Sequence, residues 1–204
     1  MTRHTQHPTI VAAIAVATLA LGACNSPVAP ESNTPSATAT TPMSSPSTTA
    51  TKSPEALAAD QAEAVYREYL RAQTRCLSDP LKTLPTCFDD VAIGTERNMR
   101  RQALRAAQEV GSKVSGNISI VSIKTVKVDL TNKVNETPPT VPKVVFAVCM
   151  DVSKFNIVDK DGKSIVPPSR KPHVPVNVTV YNYQLPDPAQ WRVGVVDEVK
   201  EGSC

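Results

Sequence analysis

The sequence predicts an α+β domain, with N-terminal helices packed on a curved antiparallel sheet, and three observations predict it. Apolar residues recur at helical spacing between Leu57 and Ala72 and again between Met99 and Val110. From Ile118 onward the period changes to two. The breaks between the later runs, at Pro138, Pro139 and Pro142 and then at Asp161-Gly162, are turn signals that permit antiparallel pairing. Helices first and strands afterwards place the helices together on one face of a sheet.

Ser53-Pro54-Glu55 starts the first helix with a hydroxyl cap, a proline at the first position and an acid in the first turn. Leu57, Ala58, Ala62, Val65, Tyr66, Tyr69, Leu70 and Ala72 then form its inner face, up to Cys76. The stretch "SDPLKTLPT" breaks the helix. Asp89 or Asp90 caps a second helix over Val91 to Val110, with Met99, Ala103, Ala106, Ala107 and Val110 as its apolar stripe and Gly111 as its stop.

Ile118 to Leu130 reads as a strand whose apolar residues fall on two phases. Ile118, Ile120, Val126, Val128 and Leu130 share one, Val121 and Ile123 the other, which calls for a bulge near Ser122 to Thr125 or burial on both faces. Val144 to Asp151 is a second strand, continuing toward Ile157, and "DKDGK" is a hairpin turn. Val174, Val176, Val178 and Val180 alternate cleanly, as do Trp191, Val193 and Val195.

The first fifty residues have another character. Arg3, His4 and His7 precede an apolar run from Thr9 to Leu21, which is shorter than the roughly 20 residues a membrane-spanning helix needs. Small residues Gly22 and Ala23 follow, as export-signal cleavage requires. From Asn25 to Pro54 the chain is Ser, Thr, Pro and Ala with little charge, a composition that cannot bury enough surface to fold. The expected organisation is a signal over 1–23, a disordered tether over 24–54 and a folded domain over 55–204.

Lys and Arg number 22 against 19 Asp and Glu, so no basic nucleic-acid footprint exists and no nucleic-acid partner is expected. Beyond Cys24 four cysteines remain, Cys76, Cys87, Cys149 and Cys204, an even number that suits two disulfides in an exported chain. Three pairings are open. The favoured one joins Cys76 to Cys87 across the loop between the helices and Cys149 to Cys204, tying the C-terminus to the sheet. No close cysteine pair exists and His173 is the only histidine past the signal, so no metal and no cofactor is expected. The sequence also lacks a Gly-rich phosphate loop, a nucleophile elbow and a metal-spaced histidine pair. Asp159 to Gly162 has too few ligands for a calcium loop.

Leu21-Gly22-Ala23-Cys24 resembles a bacterial lipobox. The resemblance implies acylation of Cys24 and a chain held at the extracytoplasmic face of the cell membrane, where each buried methylene contributes about 0.8 kcal/mol. Two helices followed by long antiparallel strands are similar to the NTF2-like fold, a cone with a pocket between helix and sheet. The stretches "VCMDVSKFNIVDKDGKSIV" and "WRVGVVDEVKEGSC" resemble small exported lipoproteins of actinobacteria and their phages. NTF2-like enzymes place an acid, a histidine or a tyrosine inside the cone, which makes Tyr66, Tyr69, Asp151, His173 and Tyr181 the pocket candidates. Asp151 reads better as a strand end in water, because a lone buried carboxylate is costly. Tyr66 and Tyr69 read better as core.

Arg97, Arg101 and Arg105 are four apart on one side of the second helix and are candidates for anion binding through forked hydrogen bonds; Arg100 lies beside them. The competing reading is a solvated face balanced by Glu96 and Glu109.

The function expected from all this is a lipid-anchored binding or accessory module without catalysis, whose partner is an envelope protein, an anionic lipid or a wall polymer. A phage-borne version would exclude competing phage. A carrier would hold a lipid or small ligand, and an NTF2-like isomerase or dehydratase would use Asp151 or Tyr66 as acid or base.

Overall fold

The computed structural model describes residues 52–199 and 204. The signal sequence, Cys24 and nearly all of the tether lie outside the described residues. Helix α1 runs Pro54–Ser78, and the Ser53 hydroxyl accepts a hydrogen bond from the Ala56 amide at 3.2 Å. Its buried face is Ala58, Ala62, Tyr66, Tyr69, Leu70, Ala72, Cys76 and Leu77; Leu57, expected inside, is half exposed. No helix among the described residues is long and apolar enough to cross a membrane.

Six strands follow: β1 (Lys113–Ser115), β2 (Ser119–Asp129), β3 (Lys143–Asp151), β4 (Asn156–Val158), β5 (His173–Asn182) and β6 (Trp191–Glu198). β2-β3-β5-β6 form an antiparallel sheet in that order, and β1 pairs with β4 separately. The fold is α+β, as the sequence predicts. Tyr66, Tyr69, Phe88, Phe146 and Trp191 are fully buried between the helices and the sheet. The Trp191 indole donates to Gln61 Oε1 at 3.1 Å, fastening β6 to α1.

Helix α2 is Gly94–Val110, three residues shorter at its start than expected and without a side-chain cap. The main chain explains this. Val193 N–H donates to Val91 C=O and Ile93 N–H to Val193 C=O, both at 2.9 Å, so Val91 to Ile93 lie extended along the edge of β6. Gly111, at φ 70°, ends the helix as read.

The face of α2 is the larger correction. Met99 and Val110 are 43% and 63% exposed, and Ala103 and Ala106 are exposed too. Glu96 and Leu104 are buried instead, with Arg100, Arg101 and Gln108 partly so. What α2 meets decides this. Gln108 donates to the carbonyls of Pro80 and Thr83, and Arg101 to the Asp89 carboxylate, so the neighbouring loop needs donors rather than methyl groups.

β2 carries two bulges, between Ile120 and Ser122 and between Thr125 and Lys127, on either side of the position expected. The extra residues are Val121 and Val126, and both are exposed. Each bulge resets the phase, so Ile120, Ile123 and Val128 share the core face of Met150, Val148 and Val144. β6 behaves likewise: Thr179 pairs with Val195 but Val180 with Val193, so Gly194 is the extra residue and Val196, not Val195, packs on the core.

β3 does not continue to Ile157. A turn at Val152 to Phe155 interrupts it, clamped by the Arg170 guanidinium donating to the carbonyls of Val152 and Phe155 at 2.6 and 2.5 Å. β4 then pairs with β1, a strand the sequence reading lacked. Gly116 makes the junction tight: its φ is 74° and an added Cβ would sit 1.6 Å from the Lys154 carbonyl oxygen. Gly116→Ala is expected to destabilise the domain by about 2–3 kcal/mol, through left-handed strain plus backbone displacement, as read by urea unfolding.

Candidate functional site

A polar cluster lies inside the domain where α1 and α2 meet. Glu96 is fully buried. Its Oε1 accepts from the Tyr69 hydroxyl and from Arg100 Nε, the latter at 2.6 Å. Arg100 reaches Gln73 Oε1 at 3.4 Å and lies over the Tyr69 ring, 5.9 Å from its centroid. Burial pushes the Tyr69 phenol well above its ordinary range, and the Tyr66 phenol also, with Glu96 adding to that rise. The Tyr66 hydroxyl donates to Met150 Sδ at 3.2 Å. Neither tyrosine is therefore poised to give up its proton near neutral pH. Glu96 Oε2 and Arg97 Nε are buried without a partner among the described residues.

Among the described residues, three grooves stand out elsewhere. The first, of about 600 Å³, runs between α1 and the start of β2 and is lined by Arg67, Leu70, Arg71, Arg75, Ile118 and Ile120, among others. Its cations come from one side of α1, four residues apart. Arg67 pairs with Glu63 at 2.6 Å, while Arg71 and Arg75 share Glu68 at 3.0 and 2.9 Å. The Glu68 carboxyl is held below its ordinary range by hydrogen bonds, first from Arg75 and then from Arg71. The second groove, of about 480 Å³, joins Tyr181, Tyr183 and Lys143 to the start of α2. The third, of about 310 Å³, is apolar and uses the outward alanines of α2 with Val110, Ile157 and Ile165.

The pocket candidates do not come together. β3 turns Val144, Phe146, Val148 and Met150 to the core, so Asp151 shares the opposite face with Val145, Ala147 and Cys149. Its carboxylate accepts from the Ser153 amide at 2.8 Å, and hydrogen bonding from Ser153, side chain first and then main chain, lowers its pKa. Asp151 and the core tyrosines Tyr66 and Tyr69 line none of the three grooves. His173 is exposed at the start of β5. Tyr181 does line a groove, the second, beside the start of α2.

The arginine row of α2 is not a free anion site either. Arg101 is bound in a fork by Asp89 at 2.7 and 2.5 Å, Arg97 is half-buried, and Arg105 alone is exposed. Cys76 is disulfide-bonded to Cys87, and Cys149 to Cys204. No cluster of metal-ligating side chains occurs among the described residues.

Sequence reasoning missed two features. Glu96 was legible as an i, i+4 partner of Arg100, but not as buried. Arg67, Arg71 and Arg75 repeat the four-residue spacing recognised in α2, and it is this second row that lines a groove.

No family model and no curated protein matches this chain. Among solved structures, the intermembrane space region of the chloroplast protein ARC6 is similar over 69% of this chain and 95% of its own length, at 10% sequence identity and a TM-score of 0.45.

Proposed function

We propose that this protein is a lipid-anchored binding module without catalysis, held by Cys24 at the outer face of the cell membrane and presenting its domain at the end of the Ser/Thr/Pro tether. We read the domain as a filled variant of the NTF2-like cone. The observation that carries the reading is where the open space lies. Tyr66, Tyr69, Phe88, Phe146 and Trp191 occupy the space between helices and sheet, while the described grooves open on the outside. A protein so built recognises partners at its surface rather than turning over a small molecule within.

Two disulfides support an oxidising compartment. The apolar run ending at Leu21-Gly22-Ala23-Cys24 supports acylation. In a host with lipoprotein processing, the wild-type chain is expected to take up labelled palmitate and partition with membranes. Cys24→Ser is expected to lose the label and leave the membrane fraction. Equal labelling and partitioning of the two would overturn the anchor.

A further inference from the structure

The sheet has two edges and the structure treats them differently. The edge of β6 is covered at Val193, where Val91 and Ile93 bond it main chain to main chain on either side of Ala92. Among the described residues β2 pairs with β3 alone, and Asn117 and Ile118, which lead into it, make no main-chain hydrogen bond. An open strand edge is a template for another chain. Here it adjoins the first groove, of about 600 Å³, whose floor is Leu70, Ile118 and Ile120 and whose wall is the arginine row of α1.

We propose that this groove takes an extended acidic segment of a partner protein as an additional strand beside Asn117 to Ile120. The proposal rests on reading the chain as a binding module and names the partner's chemistry. Two features favour it. The first is charge. All three ionisable side chains on the groove wall are arginines, and two of them share one carboxylate. Exposed pairs of this kind contribute only about 0–1 kcal/mol, so an incoming carboxylate replaces Glu63 or Glu68 at little cost.

The second is spacing. Arginines four apart on a helix rise about 6 Å from one to the next. Alternate side chains of a strand recur about every 6.6 Å. A strand with acids at every second position therefore meets the arginines one to one on the face toward α1 and turns its other side chains to the opposite face of the sheet, the side of the exposed Val121. A free polyanion or a lipid headgroup meets the charges but has no use for an open main-chain edge. A second copy of this chain would bring its own Asn117 to Ile120, which carries no acid, and its arginine row against the same cations, which like-charge repulsion opposes.

The test uses the full chain carrying Cys24→Ser, so that binding is read independently of anchoring and either reading can fail alone. The probe is an eight-residue peptide alternating Glu and Val. It is expected to bind and to slow amide hydrogen exchange at Asn117 to Ile120. Changing Arg67, Arg71 and Arg75 together to Gln, which leaves the thermal midpoint nearly unchanged because all three are exposed, is expected to weaken binding at least tenfold. Methylating alternate amide nitrogens of the peptide, or sorting its acids into one block, is expected to do the same. Equal binding of the methylated or blocked peptide overturns strand addition in favour of plain charge. Failure of the alternating peptide to bind at millimolar concentration overturns the site. Equal, arginine-dependent protection of Asn117 to Ile120 by phosphatidylglycerol vesicles assigns the groove to lipid and overturns the protein partner.

Discussion

Arg100→Met is expected to lower the free energy of unfolding by about 3–4 kcal/mol, because it strands a charge. Glu96 is fully buried, and Arg100 is the cation that reaches it, 2.6 Å from Oε1. A buried pair broken from one side leaves the other ion dehydrated and uncompensated, at a cost of about 3–5 kcal/mol. The Arg100 side chain is 25% exposed, so water reaches part of the vacated space and the lower half of that range applies. Tyr69 still donates to Glu96 in the variant, but a phenol does not replace a guanidinium.

Glu96→Gln keeps the shape and removes the charge, so its cost is smaller, about 1–2 kcal/mol. The double variant Glu96→Leu with Arg100→Met removes both ions at once. It is expected to recover most of the loss, since replacing a whole buried pair by packed apolar groups is often close to neutral. Urea unfolding of wild type, Arg100→Met, Glu96→Leu and the double variant reads this as a thermodynamic cycle, with Glu96→Gln measured beside it. A single Arg100→Met variant within about 1 kcal/mol of wild type would remove the cluster from any account of how the helices hold together.

That cluster also marks how far the sequence could be read. The order of elements and the α+β class were legible because they depend on period, and the apolar period changes once, between Val110 and Ile118. The caps were legible where a side chain does the capping, as at Ser53, and where backbone conformation demands glycine, as at Gly111. The facing of α2 was not. Its alanines read as the inner stripe because composition alone favours burying methyl groups. The inner stripe is chosen by the carbonyls of Pro80 and Thr83 and the carboxylate of Asp89, which are distant in sequence. Phase errors in β2 and β6 have one cause as well: a single inserted residue, Val121, Val126 or Gly194, flips every later side chain. The groove's arginines were visible as a spacing. What made them a candidate site, the open edge of β2 beside them, belongs to topology.

Removing the longer disulfide is expected to cost more than removing the shorter, although the shorter one is the better buried at Cys76. Cys149 and Cys204 close 55 residues and Cys76 and Cys87 close 11. On the chain-entropy account those loops are worth about 4 and about 3 kcal/mol through restriction of the unfolded chain. Cys149 lies on the side of β3 away from the helices, with Val145 and Ala147, so changing it leaves the core of Tyr66, Phe146 and Trp191 untouched. Cys149 is nonetheless buried, 3% exposed, so alanine replaces it, and the Cys149→Ala, Cys204→Ser pair variant reports the tie without burying a hydroxyl. Cys76 is fully buried on α1, so the Cys76→Ser, Cys87→Ser pair adds the burial of a hydroxyl to the lost crosslink. Alanine in place of serine at Cys76 separates the two contributions. With alanine at Cys76, the ordering is expected to follow loop length, measured by urea unfolding under oxidising conditions. If the reversed ordering persists with alanine, the bond between α1 and the following loop acts through native packing rather than through the unfolded chain. If reducing the wild-type protein leaves its unfolding curve unchanged, neither crosslink contributes, and the argument from disulfides to an oxidising compartment loses its footing.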